Sequence, residues 1–241
     1  MSSTKNKFGL SRNIPSEIKR EIRKRDSFGC ILCAFPIVEY EHVDPEFKDA
    51  KEHLVEGITI LCPTCHTKVT NKLISKDLIK EAIKNPRAKV LSEVRDKLLF
   101  TRSHPTVTIG GAKFVRCDIP LLYRNMNLIS ITNEDGNFFL NALLFDSQGN
   151  QTLAIIDNEW IVKTEDIWDL EAIGNRVTIR EKHRKPSLIF RIEENNNLII
   201  EKIDMKIGRN ILIANAEMLQ LNYERMYSHN IEDCEIGFVL M

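Results

Sequence analysis

The sequence contains no run of about 18 apolar residues, so nothing in it reads as a membrane-spanning helix. Its first residues, Met1 to Lys7, lack the apolar core of a secretory signal, and a cytoplasmic location is the expectation. It has no net charge, since 34 Lys and Arg balance 34 Asp and Glu. It shows no exact internal repeat, and residues 105–241 show no cluster of chemistry-bearing side chains comparable to that of the N-terminal part. What is left is a 241-residue chain, 43% hydrophobic and 28% charged, long enough for one large domain or two modest ones.

The zero charge hides an asymmetry. Residues 1–103 hold 20 Lys and Arg against 14 Asp and Glu, a net +6, and residues 104–241 carry the opposite −6. A basic and an acidic half suggest two domains, 1–103 and 104–241, with the basic one facing a polyanion such as DNA.

Six cysteines would allow three disulfides in a secreted protein. Four of them instead form two Cys-x-x-Cys pairs, Cys30/Cys33 and Cys62/Cys65, separated by 28 residues. Each short knuckle can aim two thiolates at one point, which suits a single tetrahedral structural zinc. Cys117 and Cys234 lie apart from that pattern and from each other, and read as reduced, buried residues. Four sulfurs satisfy a structural zinc, which leaves Glu41, His42 and His66 for other chemistry.

The order of the chain places these residues. Ser16 to Asp26 (SEIKREIRKRD) predicts a helix with Ile18 and Ile22 on one face and Lys19, Arg20, Arg23, Lys24 and Arg25 on the rest. Those cations read as phosphate contacts. Pro36 to Val43 alternates as a strand, and Gly57 to Leu61 (GITIL) as a second. From Pro63 the pattern turns helical through Asn71, with His66 in the first turn and Lys68 and Asn71 available to a nucleic acid. Ser75 predicts the cap of a further helix that Pro86 ends, and Ala88 to Leu99 repeats helical spacing.

Beyond about Thr101, turn signals recur roughly every ten residues between β-rich segments from Leu128–Thr132 to Leu198–Ile203, the pattern of a sandwich, barrel or stacked-strand domain. Ala214 to Leu221 has a helix-like look. Trp160 and Trp168 read as core or interface anchors, and His104 and His183 as exposed residues near turns. The acidic β domain suggests self-association, as a homo-oligomer, or partner sensing rather than a grip on DNA.

Glu41, His42 and His66 admit several assignments. A carboxylate and an imidazole can hold Mg²⁺ or Mn²⁺, and the second imidazole can take a proton from water. Glu41 and His42 point to opposite faces of a strand, so only one of them joins His66 directly.

At IPSEIKREIRKRDSFGC, EHV and CPTCHTKVTN, over about Ile14 to Ser75, the chain resembles the HNH endonuclease family, in its four-cysteine bacterial branch. The resemblance implies an α+β architecture, with a zinc-stabilised ββα-metal domain and flanking helices ahead of the all-β domain. It implies Glu41 and His66 as ligands of a catalytic Mg²⁺ or Mn²⁺, His42 as general base, and hydrolysis of DNA to a 3′-hydroxyl and 5′-phosphate. The family's middle asparagine falls at Gly57, which has no side chain to orient a base. His53, in the loop between the strands, reads as a solvated residue. The rival reading is a catalytically weak, zinc-bearing nucleic-acid-binding module with a β oligomerisation domain.

Overall fold

The computed structural model describes residues 5–194 and 196–241. It is a mixed α and β structure dominated by strands, in two compact units: residues 1–94 with 164–171, and residues 95–163 with 172–241. The boundary expected at residue 103 lies inside the second unit, and the segment Thr164–Glu171, beyond the intervening Arg95–Lys163, belongs to the first unit as well.

The first unit opens with α1 (Ser16–Arg25), whose Ile22 is fully buried. Strands β1 (Glu39–His42) and β2 (Ile58–Leu61) pair antiparallel in the register Glu39↔Leu61, Tyr40↔Ile60, Glu41↔Thr59, His42↔Ile58. Helix α2 (Pro63–Thr70) follows at once, with Pro63 at its first position, where a missing N–H costs nothing. Helix α3 (Lys76–Lys84) starts where the sequence places it, the Ser75 hydroxyl accepting from the Leu78 amide at 3.2 Å. Two small cores hold these elements. Ile14, Ile22, Ile58 and Ile60 pack beneath α1, while Ile31, Val43, Leu61, Val69 and Ile79 surround the cysteines.

Asp26 ties the strand pair to α1. It is fully buried and accepts from Thr59 Oγ1 at 2.6 Å, the Ile60 amide at 3.2 Å, and Arg25 Nε at 2.7 Å. With Arg25 Nη2 as a fourth donor at 2.9 Å, the buried carboxylate is satisfied, and losing the arginine would leave its charge uncompensated.

The helix expected over Ala88–Leu99 is cut short. Helix α4 (Arg87–Leu91) ends at Ser92, which is left-handed at φ 56°, and the chain continues as β3 (Glu93–Lys97). Helical spacing was present in the sequence, but left-handed backbone ends a helix whatever follows.

The second unit is built from β4 (Thr106–Ile109), β5 (Ala112–Tyr123), β6 (Met126–Glu134), β7 (Asn137–Phe145), β8 (Gln151–Ile156) and β9 (Glu159–Lys163). After β10 (Asp169–Ile173) come β11 (Arg176–Lys182), β12 (Lys185–Glu193), β13 (Asn197–Ile207), β14 (Asn210–Ala214), β15 (Met218–Leu221), β16 (Glu224–Tyr227) and β17 (His229–Leu240). Strands pair in the order β11-β12-β13-β4-β5-β6-β7-β8-β9. Most neighbours are antiparallel hairpins, as the turn spacing predicts, but β4 runs parallel to β13 and β17 parallel to β5. Phe114, Leu121, Leu128, Ile129 and Phe190 are fully buried, and Trp160 meets Phe190 edge-on at 5.9 Å.

Two sequence expectations fail in this unit. Ala214–Leu221 is not helical: Asn215 Oδ1 accepts from the amides of Glu217 and Met218, turning the chain so that β15 pairs back on β14. That is an Asx turn, and it competes successfully with the short apolar run that suggested a helix. His104 is not exposed: its ring lies 5.1 Å from Phe138, with its side chain 15% accessible.

Candidate metal and histidine sites

The four cysteines converge. One sulfur from each of Cys30, Cys33, Cys62 and Cys65 lies within 4.8 Å of every other, and among the described residues no other group of three or more potential ligands does so. Cys33 and Cys62 are 3.6 Å apart, and Cys33 and Cys65 4.0 Å. A tetrahedron with Zn–S of about 2.3 Å has edges of about 3.8 Å, so the quartet needs little adjustment to hold zinc. Local chain chemistry sets this up. The Cys30 amide donates to the Phe35 carbonyl and Ala34 turns through φ 66°, while Cys62 caps α2 and accepts from the Cys65 amide at 3.4 Å. Hydrogen bonding from Cys33 lowers the Cys30 thiol to about 5 against the opposing effect of burial, while burial pushes Cys65 up to about 12.

Beside this quartet, α2 and β1 bring His66 to two carboxylates. His66 Nε2 is 3.0 Å from Glu41 Oε2, and Nδ1 is 2.9 Å from Glu39 Oε2. Glu39 and Glu41 are two residues apart on a strand and so share one face, with the imidazole between them. Glu39 was missed in the sequence, where the i, i+2 pair of acids on a predicted strand was the available signal.

On the other face of β1, His42 meets His53. His42 Nε2 and His53 Nδ1 are 3.1 Å apart, and the His42 ring also packs edge-on against Phe47 at 5.3 Å. Burial, with the charges of His53 and Arg12 adding, pushes the His42 imidazole down to about 4, so it is neutral at pH 7. His53 is therefore no solvated loop residue. Its Nε2 is buried without a hydrogen-bond partner among the described residues.

Gly57 has a separate job. Its carbonyl accepts from the amides of Val43 and Asp44, and a Cβ there would lie 2.5 Å from the Asp44 carbonyl oxygen. The backbone of the loop fills the place a side chain would take.

The cations divide. Arg23 is 5% exposed and makes a bidentate ion pair with Asp169, Nε–Oδ1 at 3.0 Å and Nη2–Oδ2 at 2.8 Å, with Tyr40 Oη at 2.7 Å from Nη1. Arg20 stacks on Trp168, its guanidinium carbon 3.6 Å from the ring centroid, and donates to the Trp168 carbonyl. Arg25 donates to Asp26 and to the carbonyls of Val55 and Ile58. Expected as phosphate contacts, Arg23 and Arg25 instead donate to acceptors inside the first unit, and Arg20 lies against Trp168 with its Nε buried and without a hydrogen-bond partner among the described residues. Lys24, Lys68 and Asn71 are exposed, and Lys19 lies half-buried over the Tyr40 ring.

Searches of family models, of curated proteins and of solved structures returned no match to this chain. Among the described residues no helix is long and apolar enough to cross a membrane.

Proposed function

We propose that the first unit is the catalytic module of a metal-dependent DNA endonuclease of the HNH, ββα-metal kind. One observation carries the reading: two antiparallel strands and a following helix present Glu41 to His66 at 3.0 Å on one face and a half-buried, neutral His42 on the other. The neighbouring cysteine quartet fits a structural zinc that fixes the start of α2, and so the position of His66.

Glu41 and the Nε2 of His66 offer oxygen and nitrogen donors suited to Mg²⁺ or Mn²⁺, while Glu39, on the opposite ring nitrogen, holds the imidazole in place. A divalent ion held there would supply charge stabilisation at the scissile phosphate and its leaving oxygen. His42 is the general base. With Nε2–H donating to His53 Nδ1, the remaining nitrogen, Nδ1, carries the lone pair that takes a proton from water. The water oxygen forms the new bond to phosphorus as the P–O3′ bond breaks, and the 3′-oxygen is protonated from solvent. His53 takes the role of the absent asparagine, holding His42 in one tautomer. Lys24 and Lys68 are the cations left to contact phosphate.

A second reading, a zinc-bearing nucleic-acid-binding module with little activity, is favoured by Gly57, which carries no side chain at the place of the family's middle asparagine. Incubating supercoiled plasmid with the protein and Mg²⁺ or Mn²⁺ separates the two. The endonuclease reading expects nicking or linearisation by wild type, with His42→Ala slower by about 10²- to 10⁴-fold at unchanged zinc content. Equal silence from both proteins would leave the binding module.

A further inference from the structure

Outside the first unit, the structure brings together two residues far apart in sequence. Cys117 on β5 and Cys234 on β17 are 117 residues apart, yet they are direct partners in the parallel β5–β17 register, and their sulfurs are 2.8 Å apart. That is closer than Cys33 and Cys62 in the metal quartet, at 3.6 Å. Adjacent strands are about 4.8 Å apart, inside the window of about 4.4–6.8 Å between Cα atoms that a disulfide requires. The register is pinned one residue away. Arg116 and Asp233 both adopt left-handed backbone, at φ 48° and 52°, and form a bidentate ion pair with Nη2–Oδ2 at 2.7 Å. The two sulfurs are held in place rather than meeting by chance.

The environments differ in a way that orders the chemistry. Cys117 is fully buried, while Cys234 is partly accessible on a strand whose residues are mostly exposed. Burial, reinforced by the Cys234 hydrogen bond, pushes the Cys117 thiol up to about 12. Cys234 is therefore the sulfur that a solution reagent meets first.

We propose that Cys117 and Cys234 are an oxidisable dithiol, which a small-molecule disulfide such as oxidised glutathione converts to an intrachain bridge fastening the C-terminal strand to β5. The Cys234 thiolate attacks one glutathione sulfur, forming a mixed disulfide and releasing one glutathione thiolate. Cys117 then attacks the Cys234 sulfur, giving up its proton and releasing the second glutathione. Two protein thiols are oxidised, one glutathione disulfide is reduced to two glutathione thiols, and the two protons pass to them. The bridge would close a long loop in the unfolded chain and so stabilise the second unit.

The test treats the full zinc-loaded chain with oxidised glutathione, blocks free thiols with iodoacetamide, and maps peptides by mass. A linked peptide pair carrying Cys117 and Cys234 is the expected result, at unchanged zinc content. The melting temperature of the oxidised wild type is expected to rise by about 5–10 °C and to return on reduction, with no rise in Cys234→Ser. The map uses wild type alone, so it decides whether or not the variant folds. Alkylation of both sulfurs, a glutathione adduct left on Cys234 beside a free Cys117, or a bridge between two chains would each overturn the proposal.

Discussion

The cysteine quartet and the acid–histidine group share the same short scaffold, yet they are built on opposite principles. The quartet is closed: four sulfurs face one point, three of the four residues are buried, and apolar side chains surround them. The acid–histidine group is open. His66 sits between two carboxylates with its side chain 30% accessible, and His42 has one ring nitrogen committed to His53. Structural metal sites are saturated by protein ligands, whereas catalytic ones keep positions for solvent and substrate. One region holds the chain in place and the other keeps donors to spare.

The largest perturbation should fall on the closed site. Cys62→Ser removes a ligand and the sulfur that caps α2, so we expect loss of zinc and loss of cooperative melting of the first unit. Metal analysis with calorimetry reads both, and retained zinc would contradict the assignment of this quartet. Next comes Arg23→Ala. It strands the buried Asp169 carboxylate, and a loss of about 3–5 kcal/mol in denaturant unfolding is expected. A change below 1 kcal/mol would mean that the ion pair is replaceable by solvent.

The open site should respond in function rather than in stability. His53→Ala is expected to slow plasmid nicking by about 10- to 100-fold, with His53→Asn recovering part of the rate, because asparagine can still accept from His42 Nε2. Equal rates for wild type and His53→Ala would remove His53 from the machinery. The smallest effect is a pH dependence. His42 binds its proton more weakly in the folded protein than in the unfolded chain, where its value is about 6.5. Its contribution is thus absent above pH 6.5, and stability falls as pH drops from there towards 4. Screening at this half-buried site limits the loss to about 1–2 kcal/mol. Urea unfolding of wild type and His42→Gln across that range should diverge towards low pH, and parallel curves would contradict the shift.

What the sequence reveals follows the range of the interactions involved. Each Cys-x-x-Cys knuckle, each short strand, the Ser75 cap and the hairpin rhythm of the second unit depend on neighbours within a few residues and are readable from spacing, and the repeated knuckle signals the quartet although 28 residues separate the pairs. Arg20 and Arg23 looked like part of a cationic face because their partners Trp168 and Asp169 lie nearly 150 positions away, and Arg25 because the Val55 and Ile58 carbonyls it donates to are 30 and 33 positions on. His53 and the Cys117–Cys234 pair were missed for the same reason, since only tertiary register brings them to their partners. The two failed helices show local chemistry overriding periodicity, through left-handed Ser92 in one case and the Asn215 turn in the other.

Anomalous diffraction from zinc-loaded crystals soaked in MnCl₂ tests the division of labour most directly. Data at the two metal edges should give a zinc peak among the four cysteine sulfurs and a separate manganese peak against Glu41 and His66. Manganese absent from Glu41 and His66, or zinc found there in place of the quartet, would contradict the account.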